Sequence, residues 1–340
     1  LNKLAEQTMF KRVVDFEEAN ALLRRDGMQV PGLLAYLEQL QRHNVSGLDE
    51  LVRFTRLAPF FQEGEQLRQL RDVYKDLLDV ILNDWSEYIK DTIEKLVDNL
   101  DECAEFDLVE ELSLKVFDSL LKPTLGLMPA DSASFNADTI RLQELVQPYR
   151  SLRELKAINQ KIKRAIEAVE DTVAAGIVRE RTALGHLLRN RAWPERQVDK
   201  ISIVIILYAA TAPLAQTFTN IVAKRLQESR DRTVALSDEE IAKGAAQSYL
   251  HRVCKDSAKD SAYNGTYLFD IQAIERGGCP AFPFGHGRHF CVGFGLSRFI
   301  LKYMVQQFFT KFPTAKILDI KHNENNKIAY EISRLVIRTT

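Results

Sequence analysis

The sequence predicts a mainly α-helical fold with a small β element at its C-terminal end, and three observations carry that reading. Apolar side chains recur at a period near 3.6 through most of residues 8–232. The tail instead breaks into short runs, "AKILDI", "KIAYEIS" and "RLVIRT", around the turn-forming "KHNENN". No linker-like stretch divides the chain, so residues 1–340, 46% of them apolar, are expected to bury a core as one domain.

In chain order, "LNKLAEQTMFKRVVDFEEAN" mixes charge with apolar residues and lacks the unbroken hydrophobic stretch of a signal sequence. In "LRQLRDVYKDLLDVILNDWSEYIKDTIEKLVDNL", Leu67, Leu70, Val73, Leu77, Val80 and Ile81 share one helical face. Breaks are expected at 60–65, 121–139, 191–196 and 228–240, the last ending in Ser237-Asp-Glu-Glu240, a capping box for the next helix. The most apolar run, "ISIVIILYAATAPLA" (201–215), is too short and too proline-interrupted to span a bilayer and reads as a helix buried on all sides. Residues 254–283 have weak periodicity and many turn formers, so they read as mainly loop.

Composition narrows the function. A net charge of −1 from 46 basic and 47 acidic residues provides no overall field for nucleic acid or anionic lipid, which leaves small molecules and proteins as partners. Four cysteines, Cys103, Cys254, Cys279 and Cys291, lie far apart with no CxxC pair, as expected of a reducing, cytoplasmic setting.

One segment stands out: "FPFGHGRHFCVGFG" (282–295), a single cysteine among glycines, histidines and an arginine, just before a helix expected over about 296–311. Neither GxxxxGK[ST] nor a strand-borne GxGxxG is met, so a phosphate loop is not indicated. Zinc held by Cys279, His286, His289 and Cys291 would need a spacing unlike standard sites. A nucleophilic cysteine with His286 or His289 as base stays open, although no GxSxG or HGGG accompanies it. A thiolate bound to haem iron is a fourth option. Such a ligand approaches a flat macrocycle, so its backbone must be nearly free of Cβ atoms, and its charge needs loop N–H groups and a helix N-terminus. Glycines at 285, 287, 293 and 295 meet that demand.

Phe284-Gly-His-Gly287-Arg288-His289-Phe-Cys291-Val-Gly293 resembles, position by position, the haem-binding loop of the cytochrome P450 superfamily. The resemblance implies a P450-like helical fold with haem b, Cys291 as axial ligand, Phe284 beside the porphyrin, and His289 with Arg288 toward propionates. It extends to residues 296–313, similar to the helix after the cysteine, to 102–129, similar to the acidic-start helix with its Leu-Gly-x-Pro turn, and to 201–227, similar to the distal helix. Arg68 or Arg71 stands where the family often has a propionate-binding Arg, with no His beside it.

The chain also departs from the pattern. Where the family's distal helix carries a kink and an acid–alcohol pair, this sequence has Ala209-Ala210-Thr-Ala212-Pro213. Proline at the alcohol position opens the helix and is similar to the family's peroxide-using branch, but the Arg of that branch is Ala212 here. Gln216-Thr217 is the only polar pair close by and reads as a helix–helix hydrogen bond. No Glu-x-x-Arg pair occurs in 213–291; Gln247 and Leu250 stand in its place, and Glu65-Gln-Leu-Arg68 has the spacing in the wrong region. The short N-terminal part and the short interval before Phe284 imply that strands of one sheet are lost together, leaving an open haem pocket.

The resemblance therefore implies a haem-thiolate enzyme acting on a small organic or amino-acid-derived molecule. Without a proton relay, hydrogen peroxide or non-standard oxygen chemistry is expected over a ferredoxin-type electron donor, and a homodimer or carrier protein is an expected partner. The alternative is a haem-binding sensor or a catalytically silent scaffold partner.

Overall fold

The computed structural model describes residues 11–25, 27–101, 104–139, 142, 145, 150–190, 193–228, 232, 234–245, 249–254, 265–276, 284–323 and 330–339. In chain order the elements are β1 (Lys11–Val13), α1 (Phe16–Leu23), β2 (Met28–Gln29), α2 (Leu33–Arg42), α3 (Asp49–Leu57), α4 (Gly64–Asp98) and β3 (Glu105–Asp107). There follow α5 (Leu114–Leu125), α6 (Ser132–Thr139), α7 (Leu152–Ala174), α8 (Ala183–Arg189), α9 (Gln197–Gln227) and α10 (Asp238–Gly244). The chain closes with β4 (Tyr249–Cys254), β5 (Gly265–Asp270), α11 (Ile271–Arg276), α12 (Phe294–Lys311), β6 (Lys316–His322) and β7 (Ile332–Arg338). The mainly helical class is as expected.

Helix α4 runs for 35 residues because nothing after Gly64 breaks it, and Leu67, Leu70, Tyr74, Leu77, Leu78 and Ile81 face the core. Tyr74 and Leu78 hold that face where Val73 and Val80 are only half-buried, so the buried stripe is broader than the aliphatic period suggested. Helix α5 continues through Pro123 and ends at Gly126 (φ 79°), where a Cβ would collide with the Thr182 side chain. The break expected over 121–139 is therefore shorter, because α6 lies inside it. The Ser237–Glu240 capping box is formed at α10.

At the centre lies α9. Its apolar window is long enough to cross a membrane, but 72% of that window is buried inside the protein. It packs against α3, α5, α7, α8, α10 and α12, which accounts for its composition without a bilayer.

Two expectations about strands require correction. Residues 254–283 are not mainly loop among those described: β5 and α11 occupy 265–276, and Tyr267 and Phe269 alternate into a small second core with Val13, Leu22, Met28 and Cys254. Nor is the sheet lost. β1-β5-β4-β2 form four strands, β1 parallel to β5 and β2 antiparallel to β4, so the short N-terminal part supplies both edges. Asp270 ends β5 in an ion pair with Arg12. At the C-terminus β6 and β7 pair antiparallel with β3 beside them; β7 takes the third expected run and Ile332 and Ser333 of the second, whose residues 327–329 lie outside the described residues.

Candidate functional site

The cysteine loop is closed by its own backbone. Cys291 N–H donates to the Phe284 carbonyl at 2.6 Å, and a 3-10 turn at Gly287–His289 lies inside that closure. Gly285 (φ 78°) and Gly287 (φ 57°) occupy the left-handed region, and a Cβ on Gly285 would run into the His289 carbonyl oxygen. Rings of Phe284 and Phe290 meet Phe294 edge-on, with centroids 4.9 and 5.4 Å away. Helix α12 then starts at Phe294, two residues earlier than expected.

Cys291 is half-buried, and its sulfur faces the backbone N–H groups of Gly293 and Phe294. Burial pushes the thiol above its ordinary pKa; the Gly293 N–H, the charge of Arg71 and the Phe294 N–H pull the other way. At Gly293 a Cβ would stand 3.8 Å from the sulfur, an ordinary van der Waals contact, so this glycine is not required by space alone.

Basic groups gather beside the loop. Arg71 Nη1 donates to the Phe290 carbonyl at 2.6 Å. Arg288 Nη2 donates to the Met28 carbonyl at 2.9 Å, tying the loop to β2. Glu63, the residue before α4, sits among them: its Oε1 accepts from Val30 N–H at 2.9 Å and is 3.1 Å from His289 Nε2, and its Oε2 is 3.5 Å from Arg288 Nε. Burial acts to raise the Glu63 carboxyl, but hydrogen bonds from His289 and Val30 and the charges of His289 and Arg288 outweigh it, so its pKa is lowered. From β4, Arg252 adds a half-buried guanidinium, pressed down to about 10 first by burial and still cationic at neutral pH.

These residues fit haem. A thiol lies on a glycine-relieved turn beside backbone N–H donors and a helix N-terminus. Glu63 shows directly that the corner made by Val30, Arg288 and His289 holds a carboxylate, the group a porphyrin would present. Cys291 would bind the iron, Phe284 and Phe290 would line the ring, and Arg71, Arg288 and His289 would face its acids.

The structure separates the two arginine candidates. Arg71 reaches the loop, whereas Arg68 is exposed on α4 and pairs with Glu65. On α9, Ala209 is buried, Ala210 is exposed, and Ala212 and Pro213 are half-buried, so this core helix leaves a stretch of small side chains uncovered. The Thr211 hydroxyl donates to the Tyr208 carbonyl at 2.6 Å and Thr217 to the Pro213 carbonyl at 2.8 Å. Gln216 accepts from Ile332 N–H at 3.1 Å, a bond to β7 and not to a helix. Leu250 lies in β4 opposite Phe269, and Gln247 falls outside the described residues. Glu63 was missed from sequence. An acid just ahead of a helix is its only local signal, and its partner His289 is 226 residues away.

The backbone as a whole superposes on solved structures. The crystal structure of P450BioI in complex with hexadec-9Z-enoic acid ligated acyl carrier protein matches with a TM-score of 0.79 at 15% identity, covering 97% of this chain and 92% of that one. The fold is that of the cytochrome P450s. Epothilone B-bound cytochrome P450epoK gives a TM-score of 0.75 at 14% identity over 97% of this chain and 91% of the other. The P450 PksS of the Bacillus subtilis 168 bacillaene polyketide synthase gives 0.73 at 15% identity, over 97% and 90%. No family model and no curated protein matches the sequence.

Proposed function

We propose that this chain is a haem-thiolate oxidative enzyme of specialised metabolism, cytoplasmic, acting on a small organic or amino-acid-derived substrate. One observation carries the reading: Cys291 sits within reach of the Gly293 and Phe294 N–H groups on a doubly glycine-relieved turn, in a chain with the P450 fold. Haem b, when bound, supplies oxidation of unactivated carbon at its iron. The loop donors and Arg71 favour the thiolate form of Cys291, and Arg71, Arg288 and His289 orient the acidic edge of the ring. The uncovered alanines of α9 leave room for a substrate.

Within Ala209–Pro213 the only side-chain hydroxyl, that of Thr211, is directed at the Tyr208 carbonyl, and no acid is present. No side chain of this stretch is set to hand on a proton, which favours hydrogen peroxide over dioxygen with a ferredoxin-type donor. Structural neighbours from bacillaene and himastatin biosynthesis support the metabolic setting. The acyl carrier protein bound to P450BioI supports a carrier-linked substrate as one form of partner, beside a free small molecule or a homodimer. The same lack of proton donors favours a second reading, a haem-binding sensor or silent scaffold partner.

The reduced, carbon monoxide-bound spectrum tests the core of the proposal. A strongly red-shifted Soret band that C291S abolishes is expected; a colourless chain after incubation with haemin would end it. Peroxide-driven product formation across a substrate library separates the enzyme from the sensor.

A further inference from the structure

From Pro213 to Cys291 the sequence has no Glu-x-x-Arg pair to support the loop. Among the described residues of that segment, helix α10 stops at Gly244 and strand β4 begins at Tyr249. The loop is supported from the opposite direction. Glu63 is the residue that precedes α4, in extended conformation, and Arg71 lies eight positions on, two turns into the helix. Their targets are consecutive: Glu63 takes His289 and flanks Arg288, and Arg71 takes the carbonyl of Phe290, the residue before the cysteine. Through its other contact Glu63 fixes Val30, and Arg288 in turn holds Met28 of β2.

We infer that Glu63 and Arg71, at the start of α4, are the positioning residues of the cysteine loop, a carboxylate–guanidinium clamp that substitutes for one on the helix ahead of it. What the loop is positioned for rests on the haem-thiolate reading. The bonds themselves do not. Each clamp residue bonds a different neighbour of Cys291, so losing either lets the sulfur leave its donors without unpacking a core side chain. Both bonds are charge-assisted, and the Glu63–His289 pair is also shielded, with side chains 27% and 8% exposed, whereas the Arg71–Phe290 bond is exposed.

The test uses the full chain with E63A, E63Q, R71A and R71K, and with K75A as an exposed control on α4. Circular dichroism is expected to show wild-type helix content in all five. In the haemin-reconstituted proteins, R71A and E63A are expected to divide the carbon monoxide spectrum between the red-shifted band and a shorter-wavelength one. They should also lose haem to apomyoglobin about tenfold faster, as expected for one charge-assisted hydrogen bond. R71K keeps a donor for Phe290 and should recover most of the red-shifted band, and K75A should match wild type. In the apoprotein, trypsin cleavage after Arg288 should be faster in E63A and R71A, a readout that survives even if the wild type binds no haem. Unchanged spectra and unchanged cleavage in both alanine variants would overturn the clamp. So would tighter haem binding by E63Q, which would make Glu63 a competitor of the porphyrin acids.

Discussion

Arg71 places its guanidinium 2.6 Å from the carbonyl oxygen of Phe290, one residue before Cys291, and its charge is among the groups that draw the thiol downward. Burial works in the opposite direction and prevails, so the thiol stays above its ordinary pKa. Removing the charge leaves burial less opposed. In the apoprotein, R71A should therefore shift the pH midpoint of iodoacetamide alkylation at Cys291 upward, while R71K keeps the wild-type midpoint. Peptide mapping isolates this cysteine from Cys103, Cys254 and Cys279. A midpoint that moves downward in R71A would contradict the electrostatic account.

The two left-handed glycines of the loop should behave differently. At Gly287 nothing lies within 4 Å of a Cβ, so G287A should cost about 1 kcal/mol, the ordinary strain of an alanine at positive φ. At Gly285 the same strain is joined by collision with the His289 backbone carbonyl, which cannot swing aside as a flexible side chain does. Haem retention should fall markedly in G285A and little in G287A. Equal losses would mean that the loop relaxes around either methyl.

Much of this arrangement was legible from sequence because its causes are local. The 3.6-residue period marks α4 and α7 through α9, the glycines mark the loop, and a serine with an acid three residues on marks the start of α10. The four-stranded sheet was not legible. Its strands are two to six residues long and come from both ends of the chain, so no single stretch carries the pairing. Even so, "TYLFD" offered alternating Tyr267 and Phe269, a period-two signal hidden by the turn formers before it. Glu63 and Arg71 show a deeper limit: their roles depend on loop atoms more than two hundred positions away.

His251, on β4, should make the small sheet acid-sensitive. Burial first, then the charge of Arg252, lowers its pKa from 6.5 to about 4. The folded state thus favours neutral imidazole, and between those values the unfolded chain binds more protons. Its contribution is full above about 6.5 and is lost as pH falls toward 4, with a slope of at most about 1.4 kcal/mol per pH unit. Urea denaturation at several pH values should show that slope, and H251Q should flatten it. A slope that persists in H251Q would assign the acid sensitivity to other groups.

A buried lysine ties α5 and α6 to α9. Lys122, its side chain 5% exposed, lies 3.0 Å from Asp118, bonds Ser132, and stands over the rings of Phe135 and Tyr208. The Tyr208 hydroxyl lies 2.8 Å from Asn136 Oδ1 and 3.1 Å from Asp118 Oδ1, with one proton to donate between them; burial and the carboxylate push that phenol well above its ordinary range. Asp118 is 42% exposed and Ser132 keeps a bond to the ammonium, so D118A should cost about 1 kcal/mol and K122M less than about 1.5 kcal/mol. The double variant should cost less than the two losses together. Purely additive costs in denaturant melts would show that the two side chains do not interact.

Ala210 is exposed on a helix whose neighbours are almost all buried, so a larger side chain there meets space and not packing. A210F should therefore leave the denaturation midpoint nearly unchanged, within about 0.5 kcal/mol, as for surface substitutions. If that space is where a ligand approaches iron held by Cys291, the added ring must obstruct it. Imidazole titration of the reconstituted protein, followed at the Soret band, should then show binding weakened by about tenfold or more, the scale of one steric obstruction of 1.4 kcal/mol. Unaltered imidazole affinity in a stable A210F would place the uncovered face of α9 away from the open side of the haem and would remove Ala209–Pro213 from the candidate site.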